Sequence, residues 1–292
     1  MLTNELNLPQ PFVEAATDRH RFTPNRYSVS DVLGGTCEAI LKRRHHGEQD
    51  EDVADRVWAI FGTAVHKVLE QAKATETQMQ EHWMSVPIKG TPYEMSGIFD
   101  LYDEATGTVT DWKTTSVWSV MLDDHERWRL QTLLYCWMLR RNGHEARRGE
   151  IVAILRDHSM RKARTERDYP PHPVMRMGWD FTAEDFDEAE RLVSDWFLEA
   201  AAQEALPDAG LEPCSPEQRW HKPDKWAVME KGKKKALRLL GSEREACEWA
   251  EARGIDLDGK SHRLEFREGE DTRCQSYCPV SSFCPHGKKI LE

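Results

Sequence analysis

Residues 97–116, GIFDLYDEATGTVTDWKTTS, alternate in polarity on either side of a turn at 104–107 and predict two strands, roughly 93–103 and 107–114. The period then changes. In DDHERWRLQTLLYCWMLRRNG the residues Trp128, Leu130, Leu133, Leu134, Trp137 and Met138 recur at helical spacing, with basic residues in the last turn and Gly143 as the stop. A strand, EIVAILRD at 150–157, follows. This order restricts the chain to a sheet covered by helices. The hairpin carries charge where such a sheet should pack: Asp100, Asp111 and Lys113.

The rest of the chain fits around that unit. A helix is expected from near Ser30, resuming after Gly34 and Gly35 and running to about His45. A second runs from about 53 to 78, where Val57, Ile60, Phe61, Val65, Val68 and Leu69 have helical spacing. Strands are expected at 83–89 and 173–179, and a long helix from Thr182 to about Ala205. A Pro-rich loop at 207–225 marks a boundary. Beyond it, WAVME, the KGKKK turn, ALRLL and a helix capped by Ser242 with Glu245 form a small insert, before a last strand at 262–268. The division is an N-terminal arm 1–27, a core 28–206, an insert 207–260 and a tail 261–292. The fold class is α/β, a mixed central sheet flanked by helices.

With 292 residues, 39% of them hydrophobic, and 11 Trp, the chain can bury a core without disulfides. No apolar run approaches a membrane span and the start lacks a secretory pattern, so a cytoplasmic protein without membrane contact is expected. A net charge of -11 weighs against nucleic acid as partner, but RRNGHEARR, RDHSMRKARTER and KGKKKALR concentrate base locally. The stretches 140–148 and 156–167 and the KGKKK turn are candidates for backbone contact, with nearby Trp and Tyr available to stack on bases; each single Trp reads first as core.

On a strand, alternate side chains share a face, so Asp111 and Lys113 lie together with Trp112 on the other face, and Asp100 is expected with Ile98 and Tyr102, away from Phe99 and Leu101. Two close carboxylates raise each other's pKa unless a cation lies between them. His66, in GTAVH, adds a nitrogen donor from a preceding helix that Gly62 lets approach closely. Oxygen ligands suit Mg²⁺ or Mn²⁺, and an imidazole tilts the choice towards Mn²⁺. Such an ion polarises a phosphoryl oxygen and activates water, while Lys113 orients that water or offsets charge on phosphorus.

The order GTAVH, GIFD, DWK and QTLLY resembles the PD-(D/E)XK nuclease superfamily, with its restriction-endonuclease-like fold, and in particular the RecB-like branch that includes CRISPR-associated exonucleases and phage relatives. The resemblance spans about 30 to 287. It implies that His66, Asp100, Asp111 and the Trp112 carbonyl bind the catalytic metal, that Lys113 is the catalytic lysine, and that Gln131 and Tyr135 stand near the substrate strand. It further implies phosphodiester hydrolysis, usually of DNA single strands or ends, with helicase or recombination proteins as possible partners. The alternative is a nucleic-acid-binding or assembly subunit of a recombination or repair complex without turnover.

Cys274, Cys278 and Cys284 crowd the C-terminal end, and three thiolates call for a fourth ligand. By the same resemblance Cys37 completes a structural 4Fe-4S cluster with them. Three residues separate Cys274 from Cys278 where the family has two, which keeps Zn²⁺ open, with His286 or Cys214 as fourth ligand. Cys136 and Cys247 are expected to be buried, structural thiols.

Overall fold

A computed structural model describes residues 2–17, 22–48, 51–122, 125–257, 259 and 261–291. Two residues of the acidic run EQDEDVAD, 48–55, and the two aspartates ahead of HERW therefore lie outside the described residues. The chain divides into two compact units, Met1–Pro207 and Asp208–Glu292.

The first unit is built on six strands: β1 (Arg26–Ser28), β2 (Gln78–Pro87), β3 (Glu94–Asp103), β4 (Thr108–Thr115), β5 (Arg148–Leu155) and β6 (Val174–Asp180). Their order is β1, β3, β4, β5, β6, with β2 paired to the other edge of β3. β1 runs parallel to β3 and β4 parallel to β5; the remaining pairs are antiparallel, so the sheet is mixed as expected. One edge of β3 is shared, since its residues 94–96 pair with β1 and its residues 101–103 with β4. The GIFD segment spans the interval between them.

Four helices matter here: α1 (Thr36–Arg44), α2 (Val57–Glu70), α3 (Glu126–Arg141) and α4 (Ala183–Gln203). α3 supplies the centre of the core, with Leu133, Leu134, Met138 and Leu139 essentially inaccessible beside Phe99, Tyr102 and Val109 of the sheet. It sits close to β5 because position 149 is glycine: a Cβ there would fall 2.1 Å from Thr132 Oγ1. α4 starts in a capping box, Thr182 with Asp185, and adds Val193, Trp196 and Phe197 to an aromatic cluster around Tyr27.

The helix expected over 53–78 is shorter than its apolar spacing implied. α2 ends at Glu70, and β2 starts at Gln78, five residues before the expected strand. A Thr75–Gln78 turn separates them, with the Gln78 N–H on Thr75 O at 3.1 Å.

In the second unit β7 (Lys225–Glu230), β8 (Arg238–Leu240) and β9 (His262–Arg267) form an antiparallel sheet in the order β8, β7, β9. Helix α5 (Glu243–Glu251) buries Ala246 and Ala250, and Ser242 caps it by accepting from the Glu245 N–H. β9, which the sequence groups with the cysteine tail, thus pairs with the insert. Among the described residues no helix is long and apolar enough to cross a membrane.

Candidate active site

Beyond the Leu101–Thr110 pair the β3–β4 ladder stops and the strands part. The Trp112 N–H lies past that point and donates instead to Asp100 Oδ2 at 2.7 Å. Asp100 Oδ1 faces α2, 3.1 Å from His66 Nδ1. Asp111 is held from α3: Gln131 Nε2 donates to its Oδ1 at 3.0 Å, while Lys113 Nζ lies 2.5 Å from its Oδ2. That Oδ2 is buried and faces the Lys113 ammonium.

The expected alternation fails at one place in β3. Ile98 is 49% exposed, whereas Phe99 and Asp100 are both buried. Opposite Asp100, between the Gln80–Leu101 and His82–Phe99 pairs, stands Glu81 with φ +45°. A left-handed non-glycine residue there kinks the hairpin and turns two successive β3 side chains inward. Glu81 itself joins the site: its carboxylate is 3.8 Å from His66 Nδ1, and ligand atoms of His66, Glu81 and Asp100 all lie within 4.8 Å of one another. Sequence reasoning missed it because it placed residue 81 ahead of the strand. Starting the strand at Gln78 and counting back from the turn sets Glu81 across from Asp100.

The charges do not balance. Burial holds the Asp111 carboxyl above the usual carboxylate range; Lys113 pulls it down and Asp100 pushes it up. Burial, then the Asp100 charge, also raises Glu81. The His66 imidazole is raised by its hydrogen bond to Asp100, against the opposing effect of burial. Three acidic groups, one imidazole and one lysine are short of positive charge, which a divalent cation would supply. The donor set of carboxylate oxygens and one nitrogen fits Mg²⁺ or Mn²⁺.

Two motif residues act behind the carboxylates. Tyr135 is buried, and its ring lies so close to Gly97 that a Cβ there would come within 2.7 Å of it. The glycine of GIFD thus admits the tyrosine of QTLLY, and Gln131, one turn earlier, reaches Asp111. Burial, then the Asp111 charge, raises the Tyr135 hydroxyl well above its usual pKa. The Trp112 side chain lines an open pocket on the other sheet face with Thr110, Glu150 and Val152.

In the second unit, Cys274 has its thiol pushed up to about 12 by burial and by the nearby Cys278, Asp271, Cys214 and Cys284. Such a thiol needs a cation to become a ligand. His286 is engaged through Nε2 with Asp271 Oδ2 at 2.6 Å, and Asp271 also accepts from Arg219 and His221. Cys37 is buried on α1 of the first unit.

Over residues 30–285 the chain matches the PD-(D/E)XK nuclease superfamily. The chain belongs to the PD-(D/E)XK nuclease superfamily. Its members are phosphodiester-cleaving nucleases that typically use Mg²⁺ or Mn²⁺, so the substrate of this nuclease is nucleic acid. A solved structure titled "Crystal structure of SSO0001" is similar at 15% identity and a TM-score of 0.46, over 64% of this nuclease and 83% of that chain. No curated protein matches it.

Proposed function

We propose that the protein is a deoxyribonuclease of the RecB-like branch, acting as an exonuclease on single-stranded DNA or DNA ends. The observation that carries the reading is the convergence of His66, Asp100, Asp111, Lys113 and Gln131 where β3 and β4 part. His66, Glu81, Asp100, Asp111 and the Trp112 carbonyl would hold Mg²⁺ or Mn²⁺. The bound ion supplies Lewis acidity towards the phosphoryl oxygen and lowers the pKa of water. Lys113 presents a cation beside Asp111, where it orients the attacking water and offsets charge on the phosphate. Gln131 fixes the Asp111 rotamer, and the Trp112 N–H fixes that of Asp100, so both carboxylates are oriented before substrate arrives. Tyr135 backs this arrangement from the α3 side.

The test is cleavage of labelled single-stranded DNA, duplex DNA and RNA by protein purified without oxygen, with Mn²⁺ or Mg²⁺. Asp111→Ala and Lys113→Ala should each lower the rate by about 100-fold or more. Glu81→Gln should weaken Mn²⁺ binding, read by calorimetry, by about 10- to 100-fold. Wild type that cuts none of the three substrates, or variants that match it, overturns the reading.

The tail we assign as a structural 4Fe-4S site held by Cys274, Cys278 and Cys284. Cys37 is the fourth ligand implied by the RecB-like resemblance, and in the zinc alternative His286 or Cys214 takes that place. Iron and sulfide analysis of Cys37→Ser and Cys214→Ser decides between them, and one equivalent of zinc in the wild type would replace the cluster reading. Partners in a helicase or recombination assembly follow from the same resemblance.

A further inference from the structure

None of the fourteen residues of α2 is buried, and Trp58 is 55% exposed and Phe61 38% exposed. Trp58 is nevertheless held in place. The Arg156 guanidinium carbon lies 4.0 Å from the centre of its ring, and the Phe61 ring meets it edge-on at a centroid separation of 6.4 Å. Arg156 is anchored through its backbone, whose N–H donates to Thr115 O at 2.9 Å. The next residue, Asp157, accepts the Val117 N–H at 2.7 Å. The guanidinium is therefore set at the ends of β4 and β5 while its own residue stays exposed.

An indole with a cation over one face and more than half of its residue open offers what a nucleotide needs: a flat π surface for the base and positive charge for the phosphate. The surroundings are basic as well. Residues 156–167 carry five Arg and Lys against two carboxylates, in a chain of net charge -11. Arg161, Lys162 and Arg164 follow on the short helix Met160–Thr165, none of whose residues is buried.

Two paths along the backbone give the distance to the carboxylates. Trp58 precedes His66 by two turns of α2, about 12 Å along its axis. Arg156 follows Leu155, which pairs with Thr115, four residues or about 13 Å along β4 from Asp111. Both paths place the pair a few nucleotides' reach from the metal ligands. We infer that Trp58 and Arg156 form a base-stacking subsite for single-stranded nucleic acid, holding a nucleotide a few positions from the scissile phosphate. Paired bases in a duplex have no free face to offer, so the subsite selects single strands or frayed ends. The inference rests on the nuclease reading for the identity of the strand.

The test measures binding apart from cleavage. In EDTA, the affinity for labelled oligothymidylate is read by anisotropy for wild type, Trp58→Ala, Trp58→Phe and Arg156→Gln, each shown to be folded by its melting curve. Trp58→Ala should weaken binding about ten-fold, Trp58→Phe should restore most of it, and Arg156→Gln should flatten the salt dependence. With single abasic sites walked along the oligonucleotide, one position should make wild type and Trp58→Ala bind alike. Equal affinity of the two on intact oligonucleotide overturns the inference. So does a loss that no abasic position removes, or a Trp58→Ala change in self-association in place of binding. A wild type that passes this binding test but cuts nothing with Mn²⁺ sinks the nuclease reading alone; normal cleavage with no Trp58 effect sinks only the subsite.

Discussion

Two helices address the same pair of carboxylates and are held in opposite ways. α3 buries eight consecutive residues, 132–139, between the sheet and α4. α2 buries none, although VWAIFGTAVHKVLE is the more apolar sequence. Apolar content therefore does not decide which helix becomes core; the number of packed neighbours does. The consequence for the site is a division. Asp111 and Gln131 take their geometry from elements that pack into the core, whereas His66 rides on a helix none of whose residues is fully buried. Val57, Trp58, Phe61 and Val68 of α2 are left exposed.

The sharpest way to break this comparison is truncation of one side chain on each helix. Leu134→Ala should cost about 2–5 kcal/mol of unfolding free energy in a denaturant titration. Val68→Ala, at a position 69% exposed, should stay within about 0.5 kcal/mol. Equal losses would mean that α2 is packed after all. The two motif glycines should then differ in sign. A Cβ at Gly97 would lie 2.7 Å from the Tyr135 ring and 3.1 Å from Val29, so Gly97→Ala should overpack the α3 side by about 1–3 kcal/mol. A Cβ at Gly62 would meet only Thr114 Oγ1, at 3.4 Å, so Gly62→Ala should stabilise α2 by up to about 1 kcal/mol. Thermal melts of both variants check this, and a destabilised Gly62→Ala would show that close approach matters there as well.

The same contrast explains what was legible in the sequence. α3 and the strands around it announced themselves, because burial on a fixed period leaves an unambiguous pattern. α2 has a helical pattern too, but that pattern says nothing about whether a neighbour exists to cover it. Glu81 stayed hidden because its role depends on a kink at φ +45°, and no periodicity rule encodes a left-handed glutamate inside a strand. Asp100, Asp111 and Lys113 were visible for the opposite reason: they violate the hairpin's own pattern, and such violations concentrate at functional sites.

The smallest expected effect is a pH dependence that separates the two sides. His66 on the α2 side and Asp111 on the α3 side are both raised in the folded protein, the first by its hydrogen bond to Asp100 and the second by burial. A group whose folded pKa exceeds its unfolded one favours folding while it is protonated, and that contribution is lost as pH rises through the folded value. Metal-free protein should therefore lose stability in two steps, one beginning above about pH 4 from Asp111 and one above about pH 6.5 from His66. Asp111→Asn should remove the first step and raise the melting temperature at neutral pH, and His66→Gln should remove the second. Mn²⁺ reverses the slope, because its ligands must shed those protons: the rise in melting temperature that it gives the wild type should grow with pH and vanish in Asp111→Asn. If His66→Gln keeps the upper step, the imidazole is not coupled to Asp100 in solution, and α2 holds its half of the site more loosely than the 3.1 Å contact implies.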